Sequence, residues 1–167
     1  SGFDVTHPAF REANGATRFA WLLDYSRRVR GKYGELEDKF GIKSCLTKLD
    51  TGKADDGGEC ITDPRCTSAL TPCAVTQGAI YSSEDIDALL NALPSPPEPL
   101  PIDEEGHGTH AMGIVAGSHL PNTAFRGVAP EAKIIGVKSD GSGYTINAGS
   151  VIQGIQFIFD RAKEASV

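Results

Sequence analysis

Gly106-His107-Gly108-Thr109-His110-Ala111-Met112-Gly113-Ile114-Val115-Ala116-Gly117 is the stretch that orders the rest of this chain. A histidine between two glycines opens a run of small and apolar residues. Thr109 to Ala116 therefore predicts a buried helix whose small side chains permit close packing, with the His107 ring free to face a cleft. Histidine suits proton transfer because its ordinary pKa lies near neutrality. His110 follows three positions later, so the two rings share a helix face. A two-histidine metal site is the competing reading, but the glutamate of His-Glu-x-x-His is missing from it.

Working outward, the C-terminal side predicts a strand at Ala132–Val137 and a helix over Asn147–Ala165. Val151, Ile152, Ile155, Ile158 and Phe159 give that helix a broad apolar stripe. On the N-terminal side, Ser82-Ser83-Glu84-Asp85 fits a capping pattern that opens a short helix with Ile86, Leu89, Leu90 and Leu93 on one face. Pro94 stops it. Residues 94–101 then hold five prolines in eight positions, a stiff extended connector. Thr17 to Leu23 reads as a strand after the turn signal Asn14-Gly15. Helices alternating with short apolar strands imply an α/β fold with a parallel sheet.

Between about residues 24 and 80 the composition shifts to Gly, Asp, Lys and Thr, and apolar periodicity fades. Cys45, Cys60, Cys66 and Cys73 all fall there, without a C-x-x-C pair or a nearby histidine, so zinc is poorly supported. Two disulfides in an exported protein are the expectation, stapling an insertion that lacks its own core. Three connectivities stay open. The basic run Arg27-Arg28-Val29-Arg30-Gly31-Lys32 reads as a solvated loop.

The 167 residues suffice for one domain with a sizeable core. Twenty-two acidic against 16 basic residues, a net charge of −6, argue against nucleic acid or an anionic membrane as partner. The apolar runs all fall short of the roughly 20 residues of a membrane helix.

The His107 segment resembles the region of the catalytic histidine in the subtilisin-like serine proteases, the subtilases. Gly127-Val128-Ala129-Pro130-Glu131-Ala132, followed by the strand, resembles the family's next block. Asp140-Gly141-Ser142-Gly143 then matches the loop whose backbone pairs with substrate in that family. The resemblance makes Gly141, Ser142, Gly143 and Tyr144 substrate-binding candidates, with Tyr144 walling an apolar pocket. It implies a three-layer αβα fold, a polypeptide substrate and secretion, to the outside or a periplasm. Calcium is a common companion of the family, with no ligand set evident in this sequence. His110 would be a packing residue, His119 a surface residue, and Asp103 a loop or cap residue.

A triad needs an aspartate to orient the imidazole and a serine to attack. Ser1-Gly2-Phe3-Asp4-Val5-Thr6-His7-Pro8 resembles the family's sequence directly after the aspartate, which puts that acid just before Ser1. Asp50-Thr51-Gly52 spells the same motif but follows a lysine-containing, poorly apolar segment. Asp4 falls past the strand end. Gly-Thr-Ser-Met-Ala, the family's nucleophile sequence, does not occur. The expectation is a fragment, residues 1–167, of one catalytic domain that carries His107 and is inactive alone. The remainder of that domain would be its partner, and exposed faces would promote self-association. A pseudoprotease that only binds peptides is the other alternative.

Overall fold

Leu22 and Leu23 are adjacent, and both are buried, on opposite faces of the sheet. That double burial sets the architecture. The computed structural model describes residues 2–28, 30, 32–40, 42, 77–121, 123–139 and 148–165. Its elements are a 3-10 turn (Pro8–Phe10), β1 (Phe19–Arg28), α1 (Gly34–Lys39), β2 (Gln77–Ser82), α2 (Ser83–Asn91), α3 (His107–Ala116), β3 (Ile134–Lys138) and α4 (Ala148–Ala165).

The strand order is β2-β1-β3. β1 runs parallel to β3, with Leu23 opposite Val137, and antiparallel to β2, with Leu23 opposite Ile80. The sheet is thus mixed, which corrects the all-parallel expectation. Successive residues of a strand point to opposite faces. Leu22, Ala79, Tyr81 and Ile134 join the Val5, Phe10 and Phe19 cluster, which α2 covers with Ile86, Leu89 and Leu90 and α3 with Ala116. Leu23, Tyr25 and Ile80 face the other way, onto Phe40 at the end of α1 and Phe157 of α4. The Phe40 and Phe157 rings meet edge to face, centroids 5.2 Å apart. Both sheet faces are therefore covered by helices, giving three layers.

The α2 helix starts as its sequence predicts. The Ser82 hydroxyl accepts the Asp85 N–H (3.3 Å), and the Asp85 carboxylate accepts the Ser82 N–H (2.9 Å). Such a box satisfies two otherwise orphaned donors. Leu93 lies beyond the helix end and is 47% exposed.

Three expectations are revised. First, β1 runs on to Arg28, and Arg30 is largely buried rather than solvated, while Lys32 stays half exposed. Both bind the buried Asp85, and Arg30 also pairs with Glu98 at 2.6 Å. The described parts of the stretch at 24–80 thus contribute Tyr25, Phe40, Ile42 and Ile80 to the core. Second, α3 is not a buried helix: it turns inward chiefly through Gly113 and Ala116, while Ile114, Val115 and His110 are exposed. Third, the apolar stripe of α4 points outward. Ser150, Gly154, Phe157 and Arg161 are its buried residues, and Ile152, Ile155 and Phe159 are half exposed or more. Gly154 explains the choice of face: a Cβ there would stand 2.8 Å from Val137 Cγ1, so the helix backbone lies directly on β3.

Candidate active site

His107 is the first residue of α3 and is exposed. Its two flanking glycines do different work. Gly106 has φ +75°, the left-handed region that favours glycine, with open space where a side chain would be. Gly108 is needed for room, because a Cβ there would overlap the carbonyl oxygen of Gly2. The chain segment Gly2–Asp4 therefore lies against the first turn of the histidine helix.

Polar bonds fix that segment. The Asp103 carboxylate accepts the Gly2 N–H at 2.9 Å through one oxygen and the Thr109 N–H at 2.8 Å through the other. Thr109 Oγ1 in turn accepts the Asp4 N–H at 2.9 Å. Asp103 thus caps α3, as its sequence position suggests, where a negative charge also favours the helix N-terminus. Burial alone would raise its pKa, but the Thr109 and Gly2 amides outweigh burial and hold the carboxyl below its ordinary value. Asp4 spends one carboxylate oxygen on the Thr6 amide and hydroxyl, at 2.9 and 2.6 Å. Gly2 also closes on the end of β3: a Cβ on it would meet Lys138 Cδ at 2.7 Å. The start of α3, Gly2 and the carboxyl end of β3 converge, and ligand crevices of α/β sheets form outside the carboxyl ends of strands.

The last turn of α3 is equally well accounted for. A helix leaves its final carbonyls without intrahelical partners. Here Val128 N–H binds the Ile114 carbonyl (3.0 Å), Ala129 N–H the Val115 carbonyl (2.8 Å) and Gly127 N–H the Gly117 carbonyl (2.9 Å). The Gly127-Val128-Ala129 block is thus the C-terminal cap of the histidine helix. Ala116 receives the guanidinium of Arg18 at 2.5 Å. Arg18 escaped sequence reading because an arginine inside a strand pattern gives no signal of burial; it is 2% exposed.

Gly141, Ser142, Gly143 and Tyr144 lie outside the described residues, as do Cys45, Cys60, Cys66, Cys73 and the Asp50-Thr51-Gly52 motif. What is described is that β3 ends at Lys138 beside Gly2. His110 is exposed rather than packed, one turn along the face of His107, and His119 is at the surface. Among the described residues there is no cluster of three or more His, Cys, Asp or Glu able to hold a metal, so His107 and His110 have no third such donor there. A groove of about 530 Å³ lined by Trp21, Tyr33, Leu36, Lys39, Arg161 and Glu164 lies on the α1 and α4 face and does not include His107. Among the described residues no helix is long and apolar enough to cross a membrane.

The fold is thus a helix-covered α/β sheet with an exposed histidine opening a helix beside the carboxyl end of β3. The family description "Subtilase family" (peptidase S8) matches residues 1–166, and the chain belongs to that family. Subtilisin-like protease 2 of Pseudogymnoascus destructans is 44% identical over 150 residues, 87% of this chain and 34% of that protein. Serine protease AprX of Bacillus subtilis is 34% identical over 142 residues, 81% of this chain and 30% of that protein. The chain thus spans about a third of the length of these curated relatives. The CspB protease of Clostridium perfringens has a similar fold, with TM-score 0.58 at 21% identity over 99% of this chain and 25% of that one.

Proposed function

We propose that the protein is a serine endopeptidase that hydrolyses peptide bonds with an Asp-His-Ser triad, and that His107 is its general base. The observation that carries this is the packing of the Gly2 backbone on Gly108, one residue from His107. A carboxylate on the segment leading into Gly2 would then stand beside the His107 ring, where it could fix the tautomer and stabilise the imidazolium. Membership of the subtilase family and the relatives named as proteases support the same reading.

In the reaction, His107 takes the proton of the serine hydroxyl as that oxygen attacks the carbonyl, then returns it to the leaving amine. Exposure of His107 at the helix start suits contact with a substrate and with a serine from elsewhere in the domain. Gly141 to Gly143 would add their backbone to an extended substrate as a strand, with Tyr144 beside an apolar side chain. On this reading the substrate is a polypeptide, the protein is exported, and the cysteines form disulfides. The outward faces of α3 and α4 would be covered by the remainder of the catalytic domain; alone, they favour self-association.

The 167-residue chain is expected to be inactive alone, because losing a triad member costs several orders of magnitude in rate. Treating this chain with a fluorophosphonate and weighing it by mass spectrometry tests that. No adduct is expected; stoichiometric labelling would overturn the assignment of the nucleophile to another segment.

A further inference from the structure

We propose that Arg18, buried at the opposite end of α3 from His107, is a positioning residue that holds the histidine helix at its catalytic angle. This rests on His107 being the general base. Arg18 stands at the entrance to β1, and its hydrogen bonds among the described residues reach four carbonyls and one hydroxyl. One terminal nitrogen donates to the carbonyls of Ala116 (2.5 Å) and Ala9 (3.5 Å) and to Ser118 Oγ (2.8 Å). The other donates to the carbonyls of Ala132 (2.5 Å) and Ala129 (3.4 Å). The Ser118 hydroxyl passes the chain on by donating to the Arg11 carbonyl at 3.0 Å.

The chemistry of these acceptors gives the argument. Carbonyls at a helix C-terminus carry partial negative charge, so a cation there is stabilising without a carboxylate partner. Burial works against the charged guanidinium and lowers its pKa, with Glu12 and Glu131 attracting it only through space. A buried cation is costly to keep, and a simple apolar plug would fill the volume. What an arginine adds is a rigid planar fork whose donors engage several carbonyls at fixed angles, which lysine cannot reproduce. Arg18 thereby locks the end of α3, the start of β3 and the 3-10 turn to β1. Its own backbone does the same: Arg18 N–H binds the Phe10 carbonyl (2.9 Å), and its carbonyl accepts the Ile134 N–H (2.8 Å).

Geometry links this lock to the reaction. α3 has ten residues, so His107 lies about 15 Å along the axis from the clamp. A tilt of about 4° at the clamp moves the imidazole by about 1 Å, and a misplacement of that size costs about 100-fold in rate.

Hydrogen exchange and peptide kinetics on the intact protein, comparing wild type, Arg18→Lys and Arg18→Met, test the proposal. In Arg18→Met, α3 peptides are expected to exchange at least tenfold faster while α2 peptides keep their protection. The same variant is expected to lose about 100-fold in kcat with KM within twofold, and Arg18→Lys to fall between. Unchanged α3 exchange, an equal loss of protection in α2, or an unchanged kcat would overturn it. Absence of serine labelling in the wild type would instead remove the protease reading, and the exchange data would still decide whether Arg18 anchors α3.

Discussion

Gly108 leaves no room for a side chain because the Gly2 carbonyl oxygen occupies that place. Two segments a hundred residues apart are thus fitted backbone to backbone beside His107. The two glycines of Gly-His-Gly separate into a conformational requirement at Gly106 and a steric one at Gly108.

That separation predicts different costs. Gly106→Ala pays about 1 kcal/mol for a left-handed backbone, and Gly106→Asn less, because Asn tolerates that conformation. Gly108→Ala must move backbone, and is expected to lose more, about 2–3 kcal/mol. Urea denaturation of the three variants checks the order; Gly108→Ala as stable as Gly106→Asn would contradict the packing.

Asp103→Ala removes the acceptor for both the Gly2 and Thr109 amides. Loss of the cap is expected to cost about 1 kcal/mol. It should also loosen the N-terminal segment, read as faster proteolysis near Gly2. If only global stability changed and that segment stayed protected, Asp103 would be a simple cap and not a tie between the two elements.

Acid should destabilise the fold through Asp85. Burial acts to raise its pKa, but hydrogen bonds from Lys32, Tyr33, the Ser82 amide and Arg30 prevail and hold it well below the usual carboxylate range. A carboxyl depressed in the folded state contributes stability that is fully present above its unfolded pKa of about 3.9 and is lost as pH falls toward the folded value. Asp103 acts in the same direction. The urea midpoint should therefore be nearly flat from about pH 7 to 5 and drop below about pH 4. Asp85→Asn should cost on the order of 3 kcal/mol at pH 7 and give a shallower acid limb.

Gly154→Ala would gain about 1 kcal/mol in an ordinary helix. Here its Cβ meets the stiff Val137 side chain at 2.8 Å. A net loss of about 1–2 kcal/mol is expected, relieved when Val137 is also cut to Ala. Additive effects in that cycle would contradict the contact.

Much of this was legible in the residues. The Ser82–Asp85 capping box, the strand before Lys138 and the helix that follows Gly106 follow from local chemistry that neighbours along the chain supply. What was not legible depends on partners far away. Arg27 and Arg28 concealed the end of β1, since charged residues at a strand end look like loop. Arg18 reads as a surface charge until four carbonyls surround it. The apolar stripe on α4 faces outward because the closer approach that Gly154 and Ser150 allow, and not apolar area alone, chooses the buried face. The same applies to His110: the face of α3 that packs inward is the one with the smallest side chains, Gly113 and Ala116.

The central claim is that His107 activates a serine. The most direct measurement is the rate of active-site labelling of the intact protein by a fluorophosphonate, wild type against His107→Ala. The account predicts stoichiometric labelling of one serine in the wild type and a rate lower by at least 1,000-fold in His107→Ala, on the scale of triad-member loss. Labelling of His107→Ala at the wild-type rate, with the same serine modified, would contradict it.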